Sequence, residues 1–160
     1  MSNRTRFAGY PAAVAYHEPG GKARDRAQHL LWGDWIGLTG REQGSWLQAH
    51  VRGVERRGGR ARPVWLHRDG CTDERILEVN FVDIGQGDGC LIVTPDDRKI
   101  VIDAGKRDHM FRFLRWRFGK FLKETAFESF VISHPDLDHY GGFRPLLDHK
   151  KVRVLSLIHI

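Results

Sequence analysis

In the run Ser133-His134-Pro135-Asp136-Leu137-Asp138-His139-Tyr140-Gly141-Gly142, two histidines and two aspartates fall within six residues. Imidazole nitrogen and carboxylate oxygen are ordinary ligands of zinc and neighbouring divalent ions, so four such groups on one short loop can serve a pair of ions. His134, Asp136, Asp138 and His139 are therefore the candidate metal ligands. Asp138 is also the catalytic candidate, as a carboxylate that could orient an attacking water. The competing account is a polar turn after a strand, in which Asp136 or Asp138 caps the next helix and Tyr140 packs.

Such a loop needs rigid elements to deliver it. Residues 126–133 read as an apolar strand; Pro135 then keeps His134 extended, and Gly141 and Gly142 permit a tight exit. Upstream, residues 76–84 place apolar side chains at alternate positions. The turn Gly85-Gln86-Gly87-Asp88-Gly89 follows, then strands at 90–94 and 99–103 separated by a turn at 95–98, which predicts a three-stranded antiparallel meander. Because this glycine-rich turn joins two strands and opens no helix, it argues against a dinucleotide cradle. Ile102-Asp103-Ala104-Gly105 ends the third strand, where the Asp103 carboxylate can accept hydrogen bonds from the loop and orient a ligand histidine; it also makes a good turn by itself. Asp108 is expected to cap a helix running to about Lys123, with Met110, Phe113, Leu114, Phe118, Phe121 and Leu122 at helical spacing. Arg112, Arg115, Arg117, Lys120 and Lys123 fill the remaining positions, a solvated face that also suits a polyanion. A short helix at 143–149 and a strand from Val152 complete the order β-β-β-α-β-loop-α-β.

At these residues the chain resembles the metallo-β-lactamase-fold hydrolases, whose signature is His-x-His-x-Asp-His. His134, Asp138 and His139 match, whereas Asp136 stands where the second histidine would be. Ser-His-Pro-Asp-x-Asp-His-x-Gly-Gly resembles the branch containing the hydrolase domain of ComEC-type DNA-uptake proteins. The resemblance implies an α+β fold, with residues 76–154 forming the first half of an αββα sandwich. It also implies two divalent ions, His134 and Asp136 holding one and Asp138 and His139 the other. Zinc is the first expectation, and the extra carboxylate makes manganese or magnesium competitors. Residues 79–89 resemble the family's first hairpin, so Asp88 and Gln86 are carried over as groups beside the site or on its substrate side; shaping the turn is the equal alternative. Asp103 resembles the aspartate that supports the ligand loop from behind.

The chain has 160 residues and a formal net charge of +6. That charge suits a polyanionic partner, and a generally basic surface explains it equally well. Cys71 and Cys90 form no Cys-x-x-Cys pair and read as ordinary thiols. No apolar run approaches a membrane span or a signal-peptide core, which makes a cytoplasmic location the default expectation. Residues 1–28 mix basic residues with Pro and Gly without a sustained period and read as a basic flexible tail. Residues 29–72 contain short apolar pieces split by glycine, the pattern of a small all-β unit, and resemble a Src-homology-3-like barrel. Its tryptophans read chiefly as core bulk; the alternative is an aromatic groove for a peptide or wall polymer. Arg56, Arg57, Arg60 and Arg62, with Gly58 and Gly59, form a basic hairpin tip, a solvated loop that could also meet phosphates.

In the family a further histidine, a bridging aspartate and a last histidine close the metal cage downstream. His149 and His159 come too early for those roles, so the resemblance implies that this chain holds one side of a two-metal site and is inactive alone. Leu155-Ser156-Leu157-Ile158-His159-Ile160 matches what one frame of the mosaic-end adapter of transposase-made sequencing libraries encodes. Residues 155–160 are accordingly expected to be adapter-derived, the alternative being a natural strand. For the intact parent the expectation is metal-assisted hydrolysis of a phosphodiester or nucleic acid. The alternatives are a non-enzymatic binding module working through the barrel, and an ester or lactone hydrolase.

Overall fold

The computed structural model describes residues 5–160 apart from 55, 58 and 59, with backbone alone at 56–57 and 60–61. The chain divides into two units, Met1–Arg75 and Ile76–Ile160. Strand predominates in both, with short helices confined to the second, apart from single turns of 3-10 helix, an architecture compatible with α+β. No helix among the described residues is long and apolar enough to cross a membrane.

The first unit contains β1 (Thr5–Ala8), β2 (Ala12–Tyr16), β3 (Arg26–Leu31), β4 (Trp35–Gln43), β5 (Trp46–Val51), β6 (Arg56–Arg57), β7 (Arg60–Ala61), β8 (Val64–His67) and β9 (Cys71–Thr72). Seven of these form one sheet in the order β3-β2-β8-β5-β4-β1-β9, all neighbours antiparallel. No β3–β9 pairing closes it into a ring among the described residues. Residues 5–28, expected as a tail, are instead β1, β2 and the start of β3. The strands are four or five residues long, and β2 buries Ala13 and Ala15, side chains too small to raise a hydrophobic period. Arg4 lies outside the described residues. The tryptophans also depart from expectation. The buried cluster is aliphatic, built from Ala8, Ala13, Ala15, Leu30, Ile36, Ala49, Val51, Val64 and Leu66. Trp32 is exposed, and Trp35, Trp46 and Trp65 are only half-buried, because they adjoin the buried positions Ile36, Leu47, Val64 and Leu66 and strand alternation turns their indoles to the other face. In the basic tip, β6 pairs with β7; Gly58, Gly59 and the side chains of Arg56, Arg57 and Arg60 lie outside the described residues, and Arg62 is exposed.

The second unit contains β10 (Glu78–Phe81), β11 (Gly89–Val93), β12 (Lys99–Ala104), α1 (His109–Arg117), β13 (Thr125–Ile132), α2 (Leu137–Tyr140), α3 (Arg144–Leu147) and β14 (Val152–His159). Its sheet runs β10-β11-β12-β13-β14. The first three strands form the antiparallel meander, and β12, β13 and β14 are parallel. Parallel neighbours need a crossover. α1 lies in the β12–β13 connection, and α2 and α3 in the β13–β14 connection. Leu91, Val93, Val101, Phe127 and Phe130 from the strands meet Met110, Leu114, Phe121, Phe143 and Leu146 in one buried cluster. Arg117 Nε donates to Glu78 Oε1 at 2.9 Å and ties the end of α1 to β10.

α1 stops at Arg117, short of the expected Lys123. Gly119, Lys120 and Phe121 all have positive φ (62°, 61° and 54°), which no right-handed helix continues through, and Leu122 consequently stands 81% exposed. Asp108 precedes the helix without a side-chain cap; its carboxylate instead accepts from Arg112 Nε at 3.0 Å. Residues 155–160, expected to be adapter-derived, include the end of β14, which pairs with β13 as far as Ile132↔His159.

Across the sheet the register sets Phe81, Cys90, Ile102, Val131 and Ile158 in one row, with Val79, Ile92 and Ile100 in the next. None of these eight belongs to the buried cluster. The unit therefore has one packed sheet face and one apolar face that its own helices leave uncovered.

Candidate metal centre

Because β12 and β13 are parallel and in register at Ile102↔Val131, both strands end at the same edge. The carboxyl ends of parallel strands are where open α/β sheets gather ligand-binding groups. Asp103 leaves β12 there with φ 55°, a left-handed conformation that aspartate tolerates better than most side chains, and is 3% exposed. Its Oδ1 accepts the Ser133 backbone N–H at 2.9 Å. Its Oδ2 takes both the Ser133 hydroxyl and His139 Nδ1, the latter at 3.0 Å. Burial pushes the Asp103 carboxyl up, but the hydrogen bonds from Ser133 and His139 outweigh it and hold the group below its ordinary value. The same hydrogen bond raises His139, with the charges of Asp103, Asp138 and Asp88 adding to it against desolvation.

A carboxylate can only accept, so His139 Nδ1 carries the proton and Nε2 is the nitrogen left for a ligand. Metal-binding imidazoles commonly donate their other N–H to a carboxylate in this way. Ser133 Oγ lies 3.3 Å from the same Nδ1. A Ser-His-Asp relay would need the serine on the opposite nitrogen, so nucleophilic serine chemistry does not fit.

Glycines bring the rest of the site close. A Cβ on Gly142 would stand 2.0 Å from the Ala104 carbonyl oxygen, and Gly142 N–H donates to Gly105 O at 2.7 Å. Gly87, at φ 94°, approaches still more closely: its Cβ would lie 1.9 Å from the Asp138 carbonyl oxygen. The turn of residues 85–89 is thereby laid on the loop. Gly105 N–H holds the Asp88 carbonyl at 3.1 Å, and Asp88, Asp103 and His139 have potential ligand atoms mutually within 4.8 Å. Asp88 and Asp103 also line an open cleft of ≈ 370 Å³ with Ser133, Cys90, Phe81 and Ile102.

The four motif residues do not gather as one set. His134 Nε2 pairs with Asp136 Oδ2 at 3.2 Å, with both side chains more than half exposed. The His134 ring stands edge-on to that of His139, centroids 5.6 Å apart. Asp138 and His139 are consecutive on the helical turn α2, where neighbours splay by about 100°. Asp138 therefore adjoins the site through its backbone and its charge, while Gln86 is exposed on the turn. The nitrogen and oxygen donors present, with His139 already oriented by a carboxylate, fit a divalent cation. Among the described residues, His139 Nε2 and the Asp88 carboxylate are the groups of the cluster that would hold it, with Asp103 behind His139.

Sequence reasoning gave Ser133 and His109 no role. His109 Nδ1 lies 2.6 Å from the Ile84 carbonyl oxygen, at the entry to the glycine turn. The Ser-His dipeptide at a strand end could have signalled Ser133. Nothing local signals His109, whose partner lies in another element.

Compared with known proteins, the chain is similar to ComE operon protein 3 of Bacillus subtilis (strain 168), at 29% identity over 97 aligned residues that cover 50% of this chain and 12% of the relative. The chain thus spans a small part of the length of the curated relative it matches. No family model matches. No solved structure matches.

Proposed function

We propose that the second unit carries one side of a divalent-metal hydrolase site of the metallo-β-lactamase type, and that the intact parent acts on a phosphodiester such as nucleic acid. The observation that carries this reading is the Asp103 tether. One buried carboxylate fixes Ser133 and His139 at the shared end of two parallel strands and leaves a histidine nitrogen for a metal. A bound ion would supply Lewis acidity toward the scissile group and lower the pKa of water. The chain's own residues position: Asp103 orients His139, Gly87 and Gly142 allow the turn and the strand end to close on the loop, and Asp138 adds negative charge beside His139.

Three further features support it. The similarity to ComE operon protein 3 agrees with the ComEC-like motif. The uncovered apolar rows are the surface on which the second sheet of a sandwich would pack. Lys106 and Arg107 are exposed, and their backbone carbonyls would meet a Cβ at Gly141 or Gly142 within 2.8 Å, so two cationic residues border the loop in a way that suits an anionic substrate. The test is cleavage of single- and double-stranded oligonucleotides by the full-length parent with manganese or zinc. Metal-dependent cutting that Asp138→Ala abolishes is expected; cutting of esters or lactones alone would overturn the phosphodiester assignment.

A second reading rests on the first unit. Tyr10 and Trp32, 79% and 49% exposed, meet edge-on with centroids 5.3 Å apart, an aromatic surface suited to a peptide or wall polymer. Binding of such a ligand by the chain, lost in Trp32→Ala, would favour it.

A further inference from the structure

We propose that His109 is a positioning residue for this centre: its Nδ1–H on the Ile84 carbonyl fixes the turn of residues 85–89 against the metal loop. The inference deepens the metal reading above and rests on it. Ile84 is 5% exposed, so its carbonyl faces little water and depends on a protein donor. A carbonyl oxygen has no proton to give, and at 2.6 Å His109 must donate from Nδ1. His109 is the first residue of α1, whose next residue, Met110, is fully buried, so the donor is anchored to the core.

The consequence runs along the backbone. Beyond Ile84 the chain turns at Gly85, whose N–H is held by Asp83 Oδ1 at 3.1 Å. A Cβ on Gly85 would meet the His109 ring at 3.6 Å, ordinary contact, so the ring also closes over the turn. Two residues later Gly87 lies on the Asp138 backbone, and the Asp88 carbonyl is caught by Gly105 N–H. The turn is thus clamped at its entry by α1 and at its exit by the end of β12. Between the clamps sits Asp88, the carboxylate that joins Asp103 and His139. Releasing the entry clamp frees Gly87 to lift from Asp138 and Asp88 to leave the cluster. His109 does this without touching the ion.

The experiment compares the full chain with His109→Ala and His109→Asn, whose side-chain amide can present a donor near the position of Nδ1. Two signals are read: backbone hydrogen exchange at residues 85–89 without metal, and affinity for cobalt(II) from its visible absorption. His109→Ala is expected to exchange at least tenfold faster in the turn and to bind cobalt about tenfold more weakly. His109→Asn is expected to restore both. Unchanged exchange in His109→Ala overturns the inference, as does cobalt affinity equal to that of the unsubstituted chain. If the unsubstituted chain takes up no cobalt, the metal reading fails, and the exchange arm still decides whether His109 clamps the turn.

Discussion

Replacing Asp103 with asparagine keeps its shape but turns one of its two acceptor oxygens into a donor, which then faces either the Ser133 N–H at the Oδ1 position or the His139 N–H and Ser133 hydroxyl at the Oδ2 position. A buried donor without an acceptor costs about 1–3 kcal/mol, so Asp103→Asn should lower unfolding stability in urea by that amount. The two pKa displacements fix the pH window. Asp103 lies below its ordinary value, so its contribution exists above the unfolded carboxyl's pKa of roughly 4 and is lost as pH falls through the lowered folded value. His139 lies above its ordinary value, so its contribution is complete below the unfolded imidazole's pKa of roughly 6.5 and is lost as pH rises through the raised folded value. Without metal, the difference in urea midpoint between the chain and Asp103→Asn should be greatest between those limits and shrink on either side; a pH-independent difference would contradict the tether. Cys71 offers a second check. Burial, only partly offset by the charges of Arg6 and Arg68, pushes its thiol up to about 11. The thiolate is the nucleophile, so iodoacetamide at neutral pH should label Cys71 far more slowly in the folded chain than in urea, and equal rates by mass spectrometry would refute this burial.

At the scale of elements, the site is a strand-end junction sealed by glycine contacts. Gly87→Ala would force a methyl group into the Asp138 carbonyl and strain a backbone at φ 94°. It should destabilise by about 1–3 kcal/mol and accelerate hydrogen exchange in both the turn and α2; a neutral effect on both would show that the turn does not rest on the loop. Of the strands that build this junction, β10 was legible because its apolar residues alternate, and β11 and β12 because they are short apolar runs bounded by turns rich in Gly, Pro and Asp. The end of α1 was not, because Lys120 and Phe121 carry no sign in their residue type that they will adopt positive φ. Nor were β1 and β2, where short length and buried alanine erase the pattern. The ligand-type residues were visible from spacing alone, whereas their partition into a His134–Asp136 pair and an Asp88–Asp103–His139 cluster depends on tertiary contacts.

For the molecule as a whole, the second unit's sheet has an apolar face that its helices do not cover, and Phe81 on it is 87% exposed. Exposed apolar patches of this kind mark interaction surfaces. Phe81→Ser should therefore reduce binding of a hydrophobic dye and self-association while shifting stability by no more than about 0.5 kcal/mol, as surface changes do. Unchanged dye binding would mean that the face is not open in solution. The way in which the first unit packs was not legible in its turn spacing, since its core relies on small aliphatic side chains rather than tryptophan.

Calorimetric titration of zinc into the metal-free chain, in parallel with His139→Ala, tests the central claim most directly. The chain should bind zinc, and removing the one imidazole oriented by Asp103 should weaken binding by at least about tenfold. No saturable heat, or the same affinity in both proteins, would contradict a metal centre built on the Asp103–His139 tether.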